Sequence, residues 1–178
     1  MVNDREFVAG LKACGALQFG TFTLASGRTS DYYIDIKQAT RPDLLREISS
    51  RMAPHVRGYD RLAGVELGAV PIATAVSLET GLPFVIVRKT VKEHGTKRVF
   101  EGELRVGDRV AFVEDVVTTG GTLRTAVEGL RAAGAIVDRA IAVVDREEGG
   151  AENLGSAGVE LVSLLKARDL RTMGETTK

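Results

Sequence analysis

Apolar residues recur along this chain in two rhythms, one helical and one extended. Between Pro42 and Met52, the residues Leu44, Leu45, Ile48 and Met52 fall on one helical face, and Pro42 suits a first turn, where its missing N–H costs nothing. Residues 4–14 and 69–79 also read as helices, the second closed by Gly81, and another spans about 122–133 and ends at Gly134. Between them lie short apolar runs rich in β-branched residues: Arg61–Val65, Phe84–Val87, 109–114, 136–144 and 159–165. This alternation predicts an α/β fold, a five-stranded, mainly parallel central sheet flanked by helices. Right-handed crossovers gather the loops that follow each strand along one carboxyl edge, where open α/β sheets take ligands. The first forty residues differ. A helix is followed by two extended runs, 19–24 and 32–36, around the turn Ser26-Gly27-Arg28. They read as a small N-terminal hood (about 1–40) beside the core (about 41–178) of a single domain.

Composition narrows the class. The 178 residues are 44% hydrophobic and 27% charged, with 24 basic residues balancing 24 acidic ones. A disordered chain combines low hydrophobicity with strong net charge, and this chain has neither. Zero net charge argues against a nucleic-acid partner, which calls for a basic excess. One cysteine, Cys14, cannot make an internal disulfide, and with only His55 and His94 beside it no structural zinc site is expected. No apolar run reaches the roughly 18 residues of a membrane span. Asp4, Arg5 and Glu6 precede any apolar stretch, unlike a secretory signal, so a cytoplasmic location is expected.

The most informative stretch runs from the strand at Val110 into Glu114-Asp115-Val116-Val117-Thr118-Thr119-Gly120-Gly121-Thr122. Two glycines let backbone N–H groups turn inward, a helix N-terminus follows, and three threonine hydroxyls add donors. Together they make a cradle for a phosphate monoester. Glu114 and Asp115 would repel a phosphate, so they are expected to face sugar hydroxyls or magnesium-bound water. No Gly-Lys of the Walker type and no Gly-x-Gly dinucleotide fingerprint is present.

A second stretch, Arg88-Lys89-Thr90-Val91-Lys92-Glu93-His94-Gly95-Thr96-Lys97-Arg98, concentrates five cations in a chain of zero net charge. It reads as a long cationic lid, unstructured to about Gly107, on the same sheet edge as the cradle. Cations closing on a leaving diphosphate would stabilise the charge that develops as its bond to a sugar breaks. Arg146, after the strand at 136–144, carries a planar guanidinium suited to bidentate pairing with a carboxylate.

The strand, acid pair and Thr/Gly loop resemble the 5-phosphoribosyl-1-diphosphate (PRPP) signature of the type I phosphoribosyltransferases. The order Arg88, Lys89, Lys92, His94, Gly95 resembles the catalytic loop of the orotate phosphoribosyltransferases within that family, and the likeness covers nearly the whole chain. Residues 22–28 and 30–35 look like the hood of that family, and Val144-Asp145-Arg146-Glu147-Glu148-Gly149 looks like the segment whose arginine meets the orotate carboxylate. The resemblance implies the type I phosphoribosyltransferase fold and transfer of the phosphoribosyl group of PRPP to orotate, in pyrimidine biosynthesis. It implies Lys89, Lys92, His94, Glu114 and Asp115 as catalytic residues. PRPP would be held by Arg88, Lys89, Lys92, His94 and the run Glu114, Asp115, Val116, Val117, Thr118, Thr119, Gly120, Gly121, Thr122. Orotate would be held by Thr118 and Arg146, with hood backbone near Tyr32-Tyr33.

Magnesium (Mg2+) is the implied cofactor, held by PRPP and water with no direct protein ligand set. A homodimer with shared active sites is implied as well, because in the family the basic loop closes over the neighbouring subunit's site. Two departures stand out. Ala25 replaces a lysine common in the family, with Lys37 the nearby residue to compensate, and Glu66-Leu67-Gly68-Ala69-Val70-Pro71 resembles the diphosphate loop without its lysine. Two alternatives remain: a purine phosphoribosyltransferase, which would have no use for Arg146 as a carboxylate reader, and a PRPP-sensing regulator without catalysis.

Overall fold

The computed structural model describes residues 2–23, 27, 29–89 and 99–174. Helix α1 (Asp4–Ala13) opens with a capping box: the Glu6 N–H donates to Asn3 Oδ1 at 3.0 Å, and the Asn3 N–H donates to Glu6 Oε2 at 3.2 Å. Strands β1 (Leu17–Thr23) and β2 (Thr29–Ile34) pair antiparallel. A 3-10 turn over Ile36–Gln38 leads to α2 (Pro42–Met52), which has Pro42 in its first turn. The alternation then runs β3 (Arg61–Val65), α3 (Ala69–Thr80), β4 (Phe84–Val87), β5 (Phe100–Glu101), β6 (Arg109–Val117), α4 (Gly121–Ala132), β7 (Ile136–Asp145), α5 (Gly150–Ser156), β8 (Glu160–Lys166) and α6 (Ala167–Gly174).

Among the described residues the main sheet has six strands in the order β5-β4-β3-β6-β7-β8. Five run parallel, and β5 joins β4 antiparallel. The chain steps from β3 to β4 in one direction, then returns to lay β6 on the other side of β3. Loops leaving β3 and β6 therefore diverge at the carboxyl edge and open a crevice between them, the switch point at which such sheets bind ligands.

Both sheet faces are covered, which is why the strands read as unbroken apolar runs. Leu62, Ala111, Val113, Ile141 and Val143 pack on one side with Ile48, Met52 and Ile72, and with Phe7, Leu11 and Tyr32 of the N-terminal segment. Ala63, Phe112, Ala140 and Ala142 point to the other side, against Val127, Leu130 and Leu154. Among the described residues no helix is long and apolar enough to cross a membrane.

The structure corrects several expectations. The sheet gains a sixth strand, β5, too short for any periodicity, so the stretch expected to be unstructured to Gly107 contains a paired edge. Strand β6 runs three residues past Glu114, because the β-branched Val116 and Val117 continue the ladder with Val144 and Asp145 of β7. The hairpin strands lie earlier than expected, and Ile36 belongs to the 3-10 turn. Helices α5 and α6, of 7 and 8 residues, carry too few turns to announce themselves.

Candidate active site

The crevice between β3 and β6 holds a cavity of about 380 Å³. Its floor is the end of β6, its far wall is residues 118–122, and its near wall is Glu66, Leu67 and Gly68 after β3. Gly120 precedes α4 with φ +74°, and a Cβ there would stand 3.1 Å from the Gly150 carbonyl oxygen, so only glycine serves. No described side chain caps α4. Its first-turn N–H groups are left for a ligand, with the positive end of the helix dipole behind them. This is the cradle read from the sequence.

Glu114 and Asp115 lie on the cavity floor. Glu114 is only 8% exposed, and its Oε1 accepts the Asp115 N–H at 3.0 Å. Burial first, and then the adjoining Asp115 carboxylate, push its carboxyl well above the usual 4.5. Such a carboxyl is eased by hydroxyl donors or a nearby cation; Lys89, on the same cavity, already acts in that direction. Asp115 sits so close to the β3 loop that a Cβ on Gly68 would fall 1.9 Å from its Oδ2. The β3 and β4 loops are tied together, since the Lys89 N–H donates to Glu66 Oε1 at 3.0 Å and the Glu66 N–H to the Val87 carbonyl at 2.9 Å.

Arg146 lines a separate cavity of about 540 Å³, with Thr21 and residues 29–32 of the hairpin and with Arg171 of α6. Asp145 Oδ1 accepts the Glu147 N–H at 2.9 Å and shapes the turn that carries Arg146. The guanidinium stands 5.3 Å from the centroid of the buried Tyr32 ring, and its Nε lies 2.9 Å from Glu148 Oε1. The two cavities adjoin, because the Arg146 N–H donates to the Val117 carbonyl at 2.9 Å and Val117 lines the first.

Of the sequence-selected residues, the structure therefore gathers Lys89, Glu114, Asp115, Val116, Val117, Thr118, Thr119, Gly120, Gly121 and Thr122 on one cavity, with Arg146 beside it. Arg88 is not on that cavity. Its guanidinium donates to Glu101 Oε1 of β5 at 2.7 and 3.1 Å and faces a neighbouring pocket with Val99 and Glu128. Lys92, His94 and Ala25 lie outside the described residues. Sequence reasoning placed the Glu66 loop and the backbone near Tyr32 at the site but gave no part to the Glu66 carboxylate or the Tyr32 ring, and it missed Arg171. Only the long-range packing of hairpin, β7 and α6 brings Tyr32, Arg146 and Arg171 together, and no local spacing signals it.

A switch-point crevice with a Thr/Gly cradle behind paired acids defines a sugar-phosphate-binding α/β enzyme class, and comparison with known proteins makes it specific. The family model described as the phosphoribosyl transferase domain matches residues 43–157. A protein of Methanosarcina acetivorans named orotate phosphoribosyltransferase is 56% identical over 93% of this chain and 90% of its own. The crystal structure of orotate phosphoribosyltransferase from Aeropyrum pernix superposes with a TM-score of 0.85 at 32% identity, covering 95% of this chain and 98% of that one. The Mycobacterium tuberculosis orotate phosphoribosyltransferase in complex with PRPP superposes with a TM-score of 0.77 at 33% identity, covering 95% and 99%. The chain belongs to the phosphoribosyltransferase family, with the type I fold, and within it to the orotate phosphoribosyltransferases.

Proposed function

We propose that this chain transfers the 5-phosphoribosyl group of PRPP to N1 of orotate, giving orotidine 5'-phosphate and diphosphate, a step of UMP biosynthesis. The observation that carries this reading is the cradle at 118–122, set directly beyond the Glu114–Asp115 pair, with an arginine on the adjoining cavity. The cradle takes the 5-phosphate through the N–H groups of α4 and the threonine hydroxyls. Glu114 and Asp115 take the ribose hydroxyls, whose O–H donors offset the burial of Glu114. Thr118 and Arg146 take orotate, the guanidinium pairing its carboxylate and selecting it over uracil.

As N1 gives up its proton to the diphosphate or to water and bonds to C1, the C1–O bond to diphosphate breaks and its electron pair leaves with the diphosphate. Lys89, Lys92 and His94 neutralise that charge in a site closed to water. Magnesium would be held mainly by PRPP and water, with the Asp115 and Glu66 carboxylates on the same cavity able to accept hydrogen bonds from its waters. When bound, the ion shields part of the diphosphate charge. Arg88 and the basic segment serve the site of a second copy in a homodimer, which accounts for Arg88 standing outside its own cavity. A cytoplasmic setting fits the substrates.

The test is loss of orotate's near-ultraviolet absorbance with PRPP and magnesium, beside uracil, adenine and hypoxanthine. Turnover with orotate alone is expected, and turnover only with a purine would overturn the reading. Arg146→Ala is expected to raise the KM for orotate at least about tenfold with the KM for PRPP nearly unchanged, as loss of a charge-assisted pair implies. Equal weakening of both would remove Arg146 from the base site.

A further inference from the structure

We propose that Lys37 is a diphosphate-binding residue of this site, parked on Asp35 in the free protein and released to PRPP on binding. This rests on the reading that the β3–β6 crevice binds PRPP. Lys37 lies in the 3-10 turn after β2, yet its side chain lines the cavity formed by the far ends of β3, β4 and β6. The N-terminal segment thus supplies a charged group to the cavity floored by the main sheet.

The charge balance shows why it matters. Three carboxylates, Glu66, Glu114 and Asp115, line this cavity, and among its described lining residues the cations are Lys37 and Lys89. A ligand with a diphosphate cannot sit against such a wall without positive charge at that end. The threonines and amides of the cradle already serve a phosphate at the other. Lys37 shares this cavity with Asp115, the acid packed against Gly68 in the β3 loop.

Its present partner is suited to letting go. The ammonium is 2.5 Å from Asp35 Oδ1, an ion pair whose lysine end also lines the cavity. Gln38 donates to the other oxygen, Oδ2, at 3.3 Å, so Asp35 keeps a partner when the lysine leaves. The Lys37 side chain is half exposed, with room to swing.

Two variants of the full chain pull in opposite directions, read by calorimetric titration with PRPP and magnesium and by steady-state kinetics. Lys37→Gln is expected to weaken PRPP at least about tenfold, the loss typical of a hydrogen bond to a charged group, with the KM for orotate within about twofold. Lys37→Arg restores most of the affinity. Asp35→Asn, which frees the ammonium, binds PRPP as tightly as the parent or more tightly.

Equal weakening by Lys37→Gln and Asp35→Asn would overturn the proposal and make the pair a structural tie, and so would an effect of Lys37→Gln on orotate alone. Thr122→Val separates this from failure of the site reading. If it weakens PRPP while Lys37→Gln does not, only the role of Lys37 falls. If neither does, the crevice is not the PRPP site and both readings fall. Thermal melts confirm that each variant is folded.

Discussion

The two ends of the parallel sheet are built from the same kinds of residue and treat charge in opposite ways. At the amino end the starts of β3, β6, β7 and β8 are tied down. Arg61 Nε donates to Asp108 Oδ2 at 2.9 Å, the Tyr59 hydroxyl to Asp138 Oδ1 at 2.5 Å, and Arg139 to Glu160 Oε2 at 2.6 and 3.0 Å. Asp108 is held below the usual carboxylate value although burial pulls it upward, because the Arg105 N–H and the Arg61 guanidinium outweigh that pull. Asp138 is lowered by the Tyr59 hydroxyl and then by Arg109. At the carboxyl end Glu114 is pushed the other way, and the half-exposed Lys37 rests on Asp35. One end spends its polar groups on the fold, while the other leaves them waiting for a ligand whose arrival completes the pairing.

Variants at the two ends should therefore separate activity from stability. The largest effect is expected from Lys89→Ala, an exposed residue: turnover falls by one to several orders of magnitude with an unchanged melting temperature. Unchanged turnover would remove Lys89 from the chemistry. At the other end, Arg61→Met leaves Asp108 without its guanidinium and is expected to cost about 2 kcal/mol by denaturant titration, with KM values unaltered. A shift in the KM for PRPP would show that the amino end is not merely structural.

Glu114→Gln should do the reverse of Arg61→Met. The folded protein holds the Glu114 proton to higher pH than the unfolded chain, so stability declines as pH rises above 4.5 toward the raised folded value. The amide lacks that loss, so the ligand-free variant should melt a few degrees higher at pH 8, converge with the parent below pH 4.5, and bind PRPP more weakly. A lower melting temperature at pH 8 would refute the burial account.

The smallest effect is expected from Tyr59→Phe, about 1 kcal/mol for one hydrogen bond. Desolvation and Asp138 push the Tyr59 phenol up to about 12, so the parent loses stability between pH 10 and 12 as only the unfolded chain ionises. The variant should lack that slope. A parallel slope in both would place the titration elsewhere.

The sequence made the parallel core legible because strands buried on both faces must carry unbroken apolar runs, as 62–65 and 110–113 do. The cradle was equally legible, since Gly120 and Gly121 between threonines have few other uses beside an acid pair. Glu66 and Lys37 were harder. Each lies in a loop or turn whose chemistry depends on which strand end lies next to it, and that follows only once β6 is laid beside β3. Arg171 reaches the Arg146 cavity through a final helix too short to be read. Arg88 was placed among the diphosphate cations by local order alone; within one chain it pairs with Glu101 of β5, a neighbour that local order does not announce.

That small strand has a consequence of another kind. A parallel sheet whose outer strand is bare invites a foreign strand to dock along it. Beside β4, Phe100 and Glu101 occupy the ladder positions opposite Val87 and Ile86, and Arg88, just past the end of β4, pairs with Glu101. Two residues are enough to blunt one margin of the sheet against self-association, so a Glu101 variant should first be recognised by its solubility.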